Sequence, residues 1–233
     1  MNPASSKYAV ILAHNRPAET LDLLNAIKPQ VDMTWIIDNA SDPPAFEWFT
    51  GQPEITDDVI FVRDSTQPPN LAKFMNLGLD QVQLWQARVV SAPSPWKVAI
   101  FNDDAWVPEG WFDAVATAMD QVGAAAGCSS PFPGLAQEIF KVTPDADAVN
   151  RMFGPAFILR GETKIRADEN MKWWFQDTDL DWQARQQGGM IVVPGHTPKH
   201  LYPNQSTVEN PILGEQAGRD RETFRQKWGW CPW

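Results

Sequence analysis

The chain has 233 residues, 43% of them apolar and 21% charged, with a formal net charge of −10 at pH 7. That length suffices for one substantial core, and the acidic balance disfavours stable binding to nucleic acid or an anionic membrane surface, because both are polyanions. Met1–Lys7 is polar with no apolar signal core behind it, and no apolar run reaches membrane-spanning length. Cys128 and Cys231 lie too far apart for a metal or redox motif, so a reduced, soluble, cytoplasmic protein is expected.

Tyr8–Ala13 is a continuous apolar run and predicts a strand, broken at His14-Asn15-Arg16-Pro17. A helix is predicted over Ala18–Ile27, with Leu21, Leu24 and Ile27 on one face. Trp35–Ile37 predicts a second strand ending in Asp38-Asn39-Ala40-Ser41, and Val59–Val62 a third. A helix over Leu71–Trp85 leads into a strand at Lys97–Phe101, which stops on Asn102-Asp103-Asp104 ahead of Pro108. Strands alternating with helices predict βαβ units and a parallel sheet covered on both faces. In such a sheet the polar clusters at the strand ends share one edge, where open α/β folds bind ligands. Asn102, Asp103 and Asp104 are therefore candidates to hold a divalent cation and a diphosphate. The plain alternative is a turn that caps the next helix.

The second half is less regular. Glu109–Val122 reads as a helix, Ala124–Cys128 as a strand and Pro131–Gly134 as a loop. Ile139–Val142 and Phe153–Leu159 read as strands. A helix over Thr178–Gln187 ends at Gly188-Gly189, followed by a strand at Met190–Val193. From Pro194 the chain is rich in Pro, Asn and Gly, then closes with a short charged helix near Arg219–Lys227 and an aromatic stretch, Trp228–Trp233. No glycine-rich phosphate loop is present, so any phosphate must be held by a metal or by side chains.

Taken together, Val10–Pro17, Ile36–Ser41, Asn70–Gly78, Phe101–Asp104, Gly154–Arg160, Phe175–Arg185 and His200–Ser206 resemble, in order, the motifs of the family 2 glycosyltransferases. The resemblance implies an α/β GT-A fold, Rossmann-like, with a mostly parallel sheet flanked by helices in a single domain. Residues 1–206 would form that domain, with a nucleotide-sugar half over about 7–105 and an acceptor half over about 106–206, and 207–233 an aromatic tail. It implies an inverting transfer from a nucleoside diphosphate sugar, UDP-sugar favoured, to an acceptor hydroxyl. Ala13, Asn15, Arg16, Asp38, Asn70, Lys73, Asn76, Asn102 and Asp103 would bind the donor, with Asp38 reading the base. Asp104 and His200 would hold Mn²⁺ (or Mg²⁺), with His196 a competing ligand. Asp177 would be the general base, and Trp173, Trp174 and Gln176 would meet the acceptor.

Each assignment has a structural alternative: an Asx-turn for Asp38, surface cations for Arg16 and Lys73, core packing for the two tryptophans, a helix N-cap for Asp177. The chain departs from the family pattern at Asn102, which replaces an Asp, and at Gln176, which replaces a Glu. A nucleotidyltransferase, or a non-catalytic carbohydrate-binding or structural protein on a degenerate transferase fold, are the competing readings. The acceptor is expected to be protein or saccharide, with lipid open and a DNA base less favoured, and the oligomeric state is left open.

Overall fold

A computed structural model describes residues 5–53, 55–89, 94–130, 138–140, 152–203 and 205–231. Their order is β1 (Ser6–Ala13), α1 (Pro17–Ile27), β2 (Met33–Asn39), α2 (Ala45–Trp48), β3 (Val59–Asp64), α3 (Leu71–Val89), β4 (Trp96–Asn102), β5 (Ala105–Trp106) and α4 (Trp111–Val122). There follow β6 (Ala126–Ser129), β7 (Glu138–Phe140), β8 (Ala156–Arg160), α5 (Gln176–Gln186), β9 (Met190–Val193), β10 (Lys199–His200), α6 (Gln205–Glu209) and α7 (Pro211–Trp228). The loop predicted at Pro131–Gly134, the last two residues of the strand predicted over Ile139–Val142, and Trp233 lie outside the described residues.

Among the described residues the main sheet has eight strands in the order β3-β2-β1-β4-β8-β6-β9-β7. β1 is central to its parallel half, pairing with β2 on one side and β4 on the other. β7 and β8 run against their neighbours. Both faces are covered, which is why the strands read as unbroken apolar runs rather than alternating ones. Within β1 the side chains still divide by parity. Tyr8, Val10 and Leu12 join Trp35, Phe74 and Leu79 on the α3 face, while Ala9, Ile11 and Ala13 join Leu23, Leu24 and Phe112 on the α1 and α4 face. Cys128 lies buried in β6, where burial pushes its thiol up to about 12, and it forms no disulfide with Cys231.

α3 approaches β1 closely at Gly78, where a Cβ would run into the γ-carbons of Val10. Gly78→Ala is expected to destabilise the fold by about 1–3 kcal/mol through overpacking, read as a lower midpoint in urea.

The largest difference from expectation is at the C-terminal end. A short helix near Arg219–Lys227 is predicted, but α7 starts at Pro211, with the Asn210 side chain accepting from the N–H of Ile212 (3.1 Å) and Pro in its first turn. Its buried face is Leu213, Asp220 and Phe224. Phe224 packs on Phe175 (5.3 Å between centroids) and Trp230 (5.2 Å), and Trp230 on Trp182 (4.6 Å). The aromatic stretch thus builds a satellite core against α5. Among the described residues no helix is long and apolar enough to cross a membrane.

Candidate active site

The register puts Ala13 opposite Asp38 and Leu12 opposite Asn102, so β1, β2 and β4 end along one edge. The loops beyond them are stitched together. The backbone N–H of His14 donates to Asp103 Oδ2 (2.7 Å), and His14 Nδ1 meets the carbonyl oxygen of Asn39 at 2.6 Å. A carbonyl only accepts, so Nδ1 carries the proton. The N–H of Asn15 donates to Ser41 Oγ (3.2 Å), and Asn15 Oδ1 accepts from the N–H of Asp42 (2.8 Å). Asn15 (φ 55°) and Ala40 (φ 51°) are both left-handed, a strained setting for Ala40 that these cross-links hold in place. Over this edge lies a cavity of about 600 Å³, lined by Ala13, Asn15, Arg16, Asn102, Asp103 and Asp104 among others.

Its charged end is built on Asp103 and Asp104, both buried. Arg16 Nη1 bridges them, 3.0 Å from Asp103 Oδ1 and 3.2 Å from Asp104 Oδ2. Burial pushes Asp103 up to about 6, against the pull of the His14 N–H and Arg16. Burial alone would lower the Arg16 pKa, but the two carboxylates outweigh it and raise it. β5 and β10 pair antiparallel with His200 opposite Ala105, and the N–H of Leu201 donates to the Asp104 carbonyl (2.9 Å). This ribbon sets His200 Nε2 3.3 Å from Asp104 Oδ1. The approach is close but not an aligned hydrogen bond, so Oδ1 is buried without a donor.

A carboxylate oxygen left so, facing an imidazole nitrogen, fits a shared divalent cation. Among the described residues no group of three or more acidic, His or Cys ligands assembles, so two protein ligands would leave the remaining positions to water and phosphate. The expected competitor, His196, does not line the cavity, and its Nε2 lies beside Gly110, 3.5 Å from where a Cβ would stand.

The opposite wall comes from 172–174 and the C-terminal helices. Trp173 and Trp174 both donate through Nε1 to Thr207 Oγ1 (2.9 and 3.0 Å), and all three line the cavity. Buried Asp220 of α7 accepts from the N–H groups of Lys172 (2.9 Å), Trp173 (2.6 Å) and Trp174 (2.9 Å). Buried Asp179 of α5 accepts from Trp228 Nε1 (2.9 Å) and pairs with Lys227 (2.8 Å), so it joins α7 to α5 beyond any first-turn dipole role. Asp181 makes a buried ion pair with Arg185 (2.7 Å).

Asp177 sits in the first turn of α5, which starts two residues earlier than predicted, with left-handed Phe175 (φ 71°) at the N-cap. It is therefore not the N-cap. Its Oδ1 accepts from the N–H of Thr178 (2.8 Å), while Oδ2 faces Gly154, where a Cβ would come within 2.5 Å. The neighbouring Pro155 carbonyl accepts from the N–H of Asn102 (3.1 Å), so Asp177 lies one strip of backbone away from the strand-end cluster rather than in the cavity lining.

Five expected site residues are occupied elsewhere. Asp38 Oδ1 accepts from the N–H of Ser41 (2.9 Å) and Oδ2 from that of Ala45 (3.1 Å), with Arg63 at 3.4 Å; it holds the β2–α2 turn and does not line the cavity. Asn70 caps α3 through the N–H of Lys73 (3.0 Å), and Lys73 pairs with Asp64 (2.8 Å). Asn76 exchanges hydrogen bonds with the backbone of Ala167 (2.9 and 3.0 Å). Gln176 is buried and donates to the Met171 carbonyl (2.8 Å). For Asp38, Asn70, Asn76 and Gln176 a backbone group needing a partner has claimed the side chain, and for Lys73 the Asp64 carboxylate has. Conversely His14, Asn39, Tyr202, Ser206, Thr207 and Asn210 line the cavity without having been assigned to it. His14 and Asn39 stood in the strand-end clusters and Tyr202 and Ser206 within the His200–Ser206 motif, without a role assigned; Thr207 and Asn210 fell in the stretch read as an aromatic tail.

No family model matches the chain, and no curated protein matches it. Solved structures do. The crystal structure of S. aureus TarS residues 1–349 superposes with a TM-score of 0.60 at 12% identity, covering 93% of this chain and 68% of that one. TarS 1–349 in complex with UDP gives 0.58 at 13% identity, over 97% and 72%, and its complex with UDP-GlcNAc gives 0.53 at 12%, over 97% and 73%. The chain spans 42% of the longer TarS crystal structure. At such identity the likeness is one of fold. The architecture is α/β of the GT-A type, a mostly parallel sheet flanked by helices.

Proposed function

We propose that the protein is a glycosyltransferase that moves a sugar from a nucleoside diphosphate sugar, UDP-linked by preference, to an acceptor hydroxyl. The observation that carries this reading is the buried, donorless oxygen of Asp104 facing His200 at the rim of a cavity on the sheet edge. The shared fold of proteins crystallised with UDP and UDP-GlcNAc supports it.

In this reading Asp104 and His200 hold Mn²⁺ or Mg²⁺, which when bound takes up negative charge developing on the departing diphosphate. Arg16 adds a fixed positive charge, and the buried Asp103 holds both Arg16 and the β1 loop in register. The acceptor oxygen attacks the anomeric carbon as the bond from that carbon to the diphosphate oxygen breaks. Asp177, which lies behind Gly154 and Pro155 rather than in the cavity lining, is the base proposed to take its proton from an acceptor entering on the Gly154 side, and the configuration inverts. Trp173, Trp174 and Tyr202 offer flat apolar faces beside polar Thr207 and Asn210, a lining suited to a saccharide or a protein side chain.

The test is release or transfer of sugar from a panel of UDP-, GDP- and dTDP-sugars, with and without Mn²⁺. Turnover from one nucleotide class with Mn²⁺ is expected. Absence of both turnover and metal-dependent nucleotide binding would overturn the enzyme reading. Asp177→Asn is expected to keep nucleotide affinity and lose about 10²–10⁴-fold in kcat; full turnover in that variant would remove the base assignment alone.

A further inference from the structure

We infer that the α6–α7 rim of the cavity docks the acceptor, and that this acceptor is a polypeptide whose target hydroxyl is flanked by aliphatic and basic side chains. The inference rests on the glycosyltransferase reading above and assigns its acceptor class.

Seven large apolar residues are exposed among the described residues, and four of them fall within 201–212: Leu201 (45%), Tyr202 (42%), Val208 (80%) and Ile212 (62%). Apolar side chains scattered singly over a surface need no explanation, but a group gathered on one short stretch marks an interaction site. The stretch borders the cavity. Tyr202, Thr207 and Leu213 line it, so Val208 and Ile212 stand one residue away from lining positions and are open to solvent. Leu201 is tied to the same rim, its N–H donating to the Asp104 carbonyl (2.9 Å). The support is fixed, because Asn210 caps α7 (3.1 Å) and Asp220 anchors it to 172–174. A surface held ready in this way loses little freedom on binding.

The chemistry of the rim selects the occupant. Leu201, Val208 and Ile212 are aliphatic and stand outside the pocket, where they offer a sugar neither a hydrogen bond nor an aromatic face. Buried aliphatic and aromatic side chains are the ordinary centre of a protein–protein contact. An anionic membrane is drawn to Lys and Arg, and 201–218 contains neither; its charged residues are Glu209 and Glu215. The neighbouring cations are engaged. Arg16, over the Tyr202 ring at 5.5 Å, is held by Asp103 and Asp104, and Arg219 lies 3.7 Å from Glu215. An acidic, apolar rim on a chain of net charge −10 complements a basic, apolar partner and repels a second copy of itself.

The test supplies the purified chain with Mn²⁺, a mixture of UDP-sugars and three probes: short peptides with a central Ser or Thr and randomised flanks, a panel of oligosaccharides, and phosphatidylglycerol vesicles. Mass spectrometry is expected to find one added sugar on peptides enriched in Leu, Ile or Val and in Lys or Arg beside the hydroxyl. Val208→Ser combined with Ile212→Gln is expected to raise KM for the best peptide about tenfold, with kcat and UDP-sugar hydrolysis unchanged. Replacing the basic residues of that peptide by Gln is expected to raise the wild-type KM as well, a measurement that needs no variant. UDP-sugar hydrolysis with no peptide modified overturns the inference, as does a folded double variant with wild-type peptide KM. Vesicle binding or dimerisation that the double variant loses also overturns it, by giving the rim to a membrane or to a second copy. A wild type that neither binds nor hydrolyses any UDP-sugar overturns the glycosyltransferase reading itself, a result distinct from failure of the rim alone.

Discussion

Replacing Asp104 with alanine is expected to remove metal-dependent activity, with a fall in kcat/KM of about 10²–10³-fold or more. The reason is local. One Asp104 oxygen is paired with Arg16 at 3.2 Å, and the other is buried beside His200 with no donor. Only the second is available to a cation. The variant leaves Arg16 its 3.0 Å partner Asp103 and removes a buried charge that is incompletely compensated, so folding should survive. The check is thermal unfolding with increasing Mn²⁺. A ligand that binds only the folded state raises the midpoint with concentration, so the wild type should shift upward and Asp104→Ala should not. An equal shift in both proteins would place the ion elsewhere.

Asp220→Ala is expected to produce the largest loss of stability, about 3–5 kcal/mol in urea unfolding. Its carboxylate accepts from three consecutive backbone N–H groups, at 2.9, 2.6 and 2.9 Å, and from Gln216 Nε2 at 2.7 Å. Removing it strands donors in a buried setting, each worth about 1–3 kcal/mol when unsatisfied. Those N–H groups belong to Lys172, Trp173 and Trp174, so the variant should also weaken the aromatic wall of the cavity. A loss under about 1 kcal/mol would mean that water replaces the carboxylate and that α7 is not anchored there.

The parallel half of the sheet was legible because burial on both faces writes itself into the chain as unbroken apolar runs, seen at Tyr8–Ala13 and Val98–Phe101. The strand-end clusters were legible for the same reason: polarity begins where the sheet stops. What pattern could not show was which polar groups were already engaged. Asp38, Asn76 and Gln176 have the right chemistry for a ligand, but their partners are backbone groups. Those of Asn76 lie 91 residues away in the chain, and no spacing rule spans that distance. α7 was hidden differently. Gly214, Gly218 and a polar surface disguise it as loop, and its buried face emerges only once Phe175 and Trp182 are packed against it.

The two clasps on α7 bear on the order in which the protein becomes competent during synthesis. A chain emerging as far as β10 carries every strand-end residue, together with Asp104 and His200. It lacks Thr207, Asn210 and Leu213, and the Asp220 and Lys227 that lock the helix onto 172–174 and α5. The edge proposed to grip a nucleotide can therefore form while the helical part of the opposite wall is still untranslated, and the pocket closes only when its last helix arrives.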